Sequence, residues 1–310
     1  MDLTRSLATC GMFVLASATQ LSAQSPGCDT VCLEEIGDQY RAAYLARDPK
    51  QAPISDSVRY TENNVEMPFP EGTWDTVTAE GGPALTLSDP VLGSVAIFTP
   101  IKQREIEGYL AVRLKVENRQ ITEIEHIVST KRTLSGPTTP IEDHAKYVLD
   151  PIIAQVAPPN ERVSRDKLIA HAHGYFDTLQ KNDGQIKGTC FHDYAIRREN
   201  GRLFTDIGPA FGAGRYAFND RVRREIVLVD EARQIAMARG FIDHKGVLDE
   251  YKLTDGTNRR SGFREPQTWA FLEMFKVKDG CIASVVATFY QSSYFQRSPW
   301  TVGPDRTSAQ

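Results

Sequence analysis

One structural plan is written twice along this chain, and no other feature narrows its folding options as much. Each copy opens with an amphipathic helix. In the first, Leu33, Ile36, Tyr40, Ala43 and Tyr44 share a face, and the helix stops at Asp48-Pro49. In the second, Leu168, Ala172, Tyr175, Phe176 and Leu179 share a face, after an N-cap at Ser164 and before a stop at Asp183-Gly184. A short strand follows each helix, reading Arg59-Tyr60-Thr61-Glu62-Asn63 and then Arg197-Arg198-Glu199-Asn200-Gly201. Each copy closes with a long hairpin, over 109–124 and 268–282, turning at Asn118-Arg119 and at Asp279-Gly280. A sheet must bury one face and a helix one stripe. The plan therefore predicts an α+β protein built from two copies of one helix-and-sheet unit.

The spacing between landmarks is not constant. Glu62 and Glu199 lie 137 residues apart, whereas Lys115 and Lys276 lie 161 apart. The second copy thus carries 24 extra residues, placed within Arg202–Gln267. Extra chain at a sheet edge is a common way to build a lid or a specificity wall, and a neutral surface insertion is the alternative. Residues 132–163 hold Pro137, Pro140, Pro151, Pro158 and Pro159 and read as an extended linker with a short helix over 141–149. The domain division is 28–131, 132–163 and 164–300, with a tail at 301–310.

Residues 1–24 have the layout of a secretory signal peptide: Arg5, an apolar run from Leu7 to Ala18, then Ser22 and Ala23. Removing them leaves Cys28, Cys32, Cys190 and Cys281. An even count in a secreted or periplasmic protein suggests disulfides, and three pairings are open. Cys28–Cys32 is the favoured one, because a four-residue step at a helix start brings the two close. A Cys190–Cys281 bridge has no support from spacing. The 310 residues are 41% apolar and 25% charged, enough for a packed core. The net charge of −4 argues against nucleic acid or an anionic membrane as partner. No later segment is long and apolar enough to span a bilayer.

Helix, short strand with an Arg/Glu/Asn signature, then curved strands ending in a long hairpin: this succession resembles the nuclear transport factor 2-like (SnoaL-like) superfamily. The closer resemblance is to an exported two-copy group within it, known mainly as a domain of unknown function. The phrases carrying it are Val58–Asn63, Arg198-Glu199-Asn200-Gly201, Phe263-Arg264-Glu265-Pro266, Glu273–Val277 and Ser298-Pro299-Trp300. The resemblance implies two tandem cones, each a curved antiparallel sheet wrapped on helices, with a pocket inside. The superfamily holds isomerases, dehydratases, cyclases, lyases and non-catalytic binding or dimerisation modules, so it does not choose the chemistry.

Strand parity gives the sharpest local argument. In the first hairpin Leu110, Val112, Leu114 and Val116 form an apolar face, alternating with Tyr109, Ala111, Arg113 and Lys115. A shift of 161 places Phe271, Glu273 and Phe275 on the matching face, beside Trp269 and Val277. A carboxyl among Trp and Phe loses hydration, its pKa rises, and it suits acid–base work near neutral pH. The bland alternative is an ion pair with Arg197, Arg239 or Arg264. The catalytic candidates are Glu273 as proton carrier, Arg197 or Arg239 on developing negative charge, and His192 or Tyr290 assisting. Trp269, Phe271, Asp193 and Phe241 are the substrate-contacting candidates. His126 shares parity with Ile124 and Val128 and reads as a core histidine. His171 and His173 diverge on a helix, so no metal and no cofactor is expected. Gly212-Ala213-Gly214-Arg215 reads as a flexible loop.

Two functions fit. One is an exported enzyme doing cofactor-free isomerase, dehydratase or lyase chemistry on a small apolar, oxygenated or aromatic molecule. The other is a non-catalytic ligand-binding or dimerisation protein, with a homodimer packing sheet on sheet.

Overall fold

A computed structural model describes residues 27–131 and 139–301. The expected leader at 1–24, part of the expected linker and all but the first residue of the expected tail lie outside the described residues. The first half runs α1 (Thr30–Ala46), β1 (Ile54–Glu62), β2 (Val65–Glu66), α2 (Thr73–Thr76), β3 (Ala79–Glu80), β4 (Leu85–Asp89), β5 (Ser94–Gln103), β6 (Ile106–Glu117) and β7 (Gln120–Thr130). After α3 (Pro151–Ala154), the second half runs α4 (Arg165–Leu179), β8 (Phe191–Glu199), β9 (Arg202–Phe204), α5 (Ile207–Gly212), β10 (Arg221–Asp230), β11 (Ile235–His244), β12 (Glu250–Lys252), β13 (Asn258–Arg260), β14 (Gln267–Lys278) and β15 (Cys281–Ser292). The class is mixed α+β.

The two main sheets have one strand order. The first is β2-β1-β7-β6-β5-β3 with β4 also on β5, and the second, read from its other end, is β9-β8-β15-β14-β11-β10. In each, the short strand after the helix pairs parallel with the last strand of the long hairpin. The registers reproduce the sequence offsets: Glu62 pairs with His126 as Glu199 pairs with Ala287, and Val112 pairs with His126 as Glu273 pairs with Ala287.

Local chemistry explains the elements. Asp29 caps α1 by accepting from the Cys32 amide, and Arg47 ends it in the left-handed conformation just before Pro49. Ser164 caps α4 through the Lys167 amide. The chain leaves that helix after Leu179, four residues before the predicted stop. Both long hairpins turn on two residues with positive φ, Asn118-Arg119 (51° and 62°) and Asp279-Gly280 (46° and 77°), the combination that matches strand twist. Asn63 holds β7 by exchanging two hydrogen bonds with the Val128 backbone, and Asn200 holds β15 through Phe289 in the same way. Lys115 and Lys276 each donate to a carbonyl of the preceding hairpin turn, Leu92 and Arg233.

Cys28–Cys32 and Cys190–Cys281 are both bridged. No helix among the described residues is long and apolar enough to cross a membrane. The described part of the linker packs against the sheets: Ile153 is fully buried, and Tyr147 lies edge-on to Tyr109.

Among the described residues there are three cores. One lies between α1 and the first sheet, one between α4 and the second, and the third between the two sheets. The third includes Phe98, Ala111 and Ile127 from one sheet and Met237, Leu272 and Met274 from the other. Both faces of the long strands are therefore buried, which a reading of one apolar and one polar face does not anticipate.

Candidate functional site

Between α4 and the concave face of the second sheet lies a cavity of about 320 Å³. Glu273 lines it, in the position that Val112 occupies in the first half. It is 5% exposed. Phe271 and Trp269 precede it along the same face of β14 and line the same cavity. Phe271 has room because its neighbour on β11 is Gly240, where a Cβ would sit 2.5 Å from the ring.

Burial pushes the Glu273 carboxyl up to about 8, with Arg197 and the Tyr175 hydroxyl pulling the other way and Glu199 adding to the rise. Arg197 comes from β8 and is buried. Its guanidinium donates to the Tyr175 hydroxyl at 3.1 Å and the Tyr216 hydroxyl at 2.8 Å, and its Nε lies 2.9 Å from Glu199. It also lies over the rings of Phe204 and Tyr216. Because both phenol oxygens accept from Arg197, each keeps its own proton to donate elsewhere. Glu199 meets Arg197 in an ion pair, while Asn200 clamps β15. Glu273 thus does not share its carboxylate in a bonded pair with an arginine.

Four site candidates from the sequence, Glu273, Arg197, Trp269 and Phe271, meet in this cavity. The others do not. Arg239 lies on the opposite face of β11, between the sheets, donating to Glu125 and Glu225 at 2.9 Å each. Phe241 shares that outer face and packs under Arg223. Tyr290 also points away from the cavity, bonding to Asn63 and Asn64 of the first half. His192 sits at the start of β8, bonded to the Lys278 carbonyl at 2.7 Å and stacked on Tyr194. Asp193 is exposed. Arg264 pairs with Asp249, away from Glu273. Trp300 packs against the first sheet, its Nε1 donating to Thr61.

Sequence reasoning missed Tyr216 and His244. Tyr216 follows the stretch read as a flexible loop, but that loop is fixed: Asn182 accepts from the Tyr216 amide and donates to the Phe211 carbonyl. His244 shares strand parity with Ile242 and Gly240, a signal that was available. The extra residues also find their place. The offset is 141 at Asp89/Asp230, so 4 of the 24 precede β10 and 20 lie between β11 and β14. Those 20 form a flap carrying the β12–β13 hairpin. Phe263 from the flap stacks on His244 at 4.2 Å and lines the cavity.

The first half has a different polar nest at the matching place. His126 is fully buried, its Nε2 2.8 Å from the Tyr40 hydroxyl and its Nδ1 3.4 Å from that of Tyr60. Glu62 accepts from the Thr73 amide and from Tyr60. This is a core histidine whose two nitrogens both have partners. Among the described residues, no group of three or more His, Cys, Asp or Glu side chains is placed to hold a metal ion.

A family model described as a domain of unknown function (DUF8021) matches residues 161–289, which span α4 and most of the second sheet. No curated protein matches the chain. Among solved structures, the chain is similar to a nuclear transport factor 2-like protein from Cytophaga hutchinsonii, at 14% identity over 41% of this chain and 99% of that one, with a TM-score of 0.28. It is similar to PrhC from Penicillium brasilianum at 15% identity over 41% and 82%, TM-score 0.28. A de novo designed protein with a curved β-sheet gives 15% identity over 33% and 88%, TM-score 0.27.

Proposed function

We propose that the chain is an exported protein of two tandem nuclear transport factor 2-like cones, 28–131 and 164–300, in which the second does acid–base chemistry on a small apolar carbonyl compound. The observation that carries this reading is the Glu273 carboxyl, held beside Tyr175 and Arg197 in an aromatic-lined cavity. In its ionised form Glu273 removes a proton from the carbon next to a carbonyl. The electron pair moves onto the carbonyl oxygen, and the Tyr216 hydroxyl donates to that oxygen as its charge grows. Arg197 is a positioning residue, fixing the Tyr216 oxygen. Glu273 then returns its proton to the same carbon or to one conjugated with it, which completes an exchange or an isomerisation. No cofactor is needed for these steps.

The test is proton exchange in deuterated water, followed by NMR on a methyl naphthyl ketone. Wild type should speed deuterium uptake at the methyl group, and Glu273→Gln should lower that rate by about 100-fold or more while retaining the fold. Equal rates in the two proteins would remove Glu273 from the chemistry. Binding with no exchange in wild type would favour a ligand-binding protein.

A further inference from the structure

His244 closes β11, with Gln267 opposite it on β14. Its side chain is 1% exposed and lines the cavity. Nδ1 lies 3.3 Å from the Phe218 carbonyl oxygen, which can only accept, so Nδ1 carries the ring proton. Nε2 is then a lone-pair acceptor, and among the described residues it has no donor. Burial lowers the pKa of the imidazole, which keeps it neutral and Nε2 unprotonated. A buried acceptor without a donor is costly, so such an atom calls for a partner.

The surroundings say what kind of partner. Phe263 stacks on the imidazole, and Phe218 and Trp269 pack against Phe263. These rings make the surroundings of Nε2 largely apolar. Six residues of β14 separate Gln267, opposite His244, from Glu273, which is about 20 Å of strand. His244 and Glu273 thus line well-separated parts of the cavity.

We infer that His244 determines specificity, its Nε2 accepting a hydrogen bond from a hydroxyl or N–H at the far end of an elongated cyclic ligand whose carbonyl lies at Glu273. The inference rests on the reading of this cavity as a small-molecule site. It assigns His244 no part in proton transfer.

The probes are a methyl naphthyl ketone carrying a hydroxyl at the far end of its ring system and the same ketone with that hydroxyl methylated. Their dissociation constants are measured by ligand-observed NMR. Wild type should prefer the hydroxyl compound by about tenfold. His244→Phe keeps the ring stack and deletes the acceptor, so it should bind the two equally. His244→Gln, which retains an acceptor, should recover part of the preference. On wild type alone, the Nε2 resonance of His244 should move when the hydroxyl compound is added and stay in place with its methyl ether. This readout stands even if a His244 variant fails to fold. No preference in wild type, including failure of both compounds to bind, would overturn the inference, as would a preference that survives in His244→Phe. The acid–base reading fails separately: deuterium exchange could be absent while the hydroxyl preference and its loss in His244→Phe remain.

Discussion

At the scale of single residues, burial decides the behaviour of Glu273. Folded, it keeps its proton up to about pH 8, whereas the unfolded chain releases it near the ordinary value of 4.5. Between those values the folded state binds more protons. The contribution of Glu273 to stability is therefore complete below about pH 4.5 and is lost as pH rises through about 8. Glu273→Gln cannot ionise, so between about pH 6 and about pH 9 it should lose roughly 2 kcal/mol less stability than wild type, as read by urea unfolding. Equal pH profiles would mean that the carboxyl is hydrated. Which residues meet at the site was partly legible. Glu273, Trp269, Phe271 and Arg197 followed from alternation and from alignment of the two copies. Arg239, Phe241 and Tyr290 failed for a physical reason: with both faces of the strands buried, Ile235 and Met237 mark an apolar face that is the interface between sheets, not the cavity wall. His192 and Asp193 failed because they lie where β8 begins, beyond the cavity.

At the scale of elements, both helix faces and both long hairpins were written in the sequence, because each depends on local spacing or turn chemistry, whereas the Asn clamps join residues 65 and 89 apart and were not. The site of the insertion was legible only to within a long stretch, since the β10–β11 pair has no close sequence echo of β4–β5. In the first half, Gln103 and Ile106 pair across a two-residue turn; at the matching place, His244 and Gln267 pair with the flap between them. The flap is thus an addition to a hairpin that closes without it. Replacing residues 245–266 by a two-residue turn should leave the melting temperature within a few degrees. It should weaken binding of the hydroxylated naphthyl ketone by about tenfold or more, through loss of Phe263. Calorimetry checks both, and unchanged affinity would make the flap a neutral insertion.

At the scale of the molecule, the two sheets meet back to back, and part of the contact reads the same from either side. The Asp89 carboxylate accepts from the Val229 amide, and the Asp230 carboxylate accepts from the Ser88 amide, the equivalent pair with the halves exchanged. Glu125 of the first sheet accepts from Arg113 of its own sheet and from Arg239 of the other, which secures a buried charge across the interface. The sheet-on-sheet contact lies within the single chain. Within this paired frame, the inner polar groups of the halves have diverged. In the first, burial raises the Glu62 carboxyl, but His126 and Thr73 outweigh it and hold the group below its usual range. In the second, burial of Glu273 wins. Carboxyl-labelled glutamate NMR across a pH titration reads both halves in one experiment. The account predicts a single inner carboxyl, Glu273, titrating near pH 8 and absent from the spectrum of Glu273→Gln, with Glu62 titrating below the ordinary range; Glu273 titrating among the ordinary surface carboxylates would contradict it.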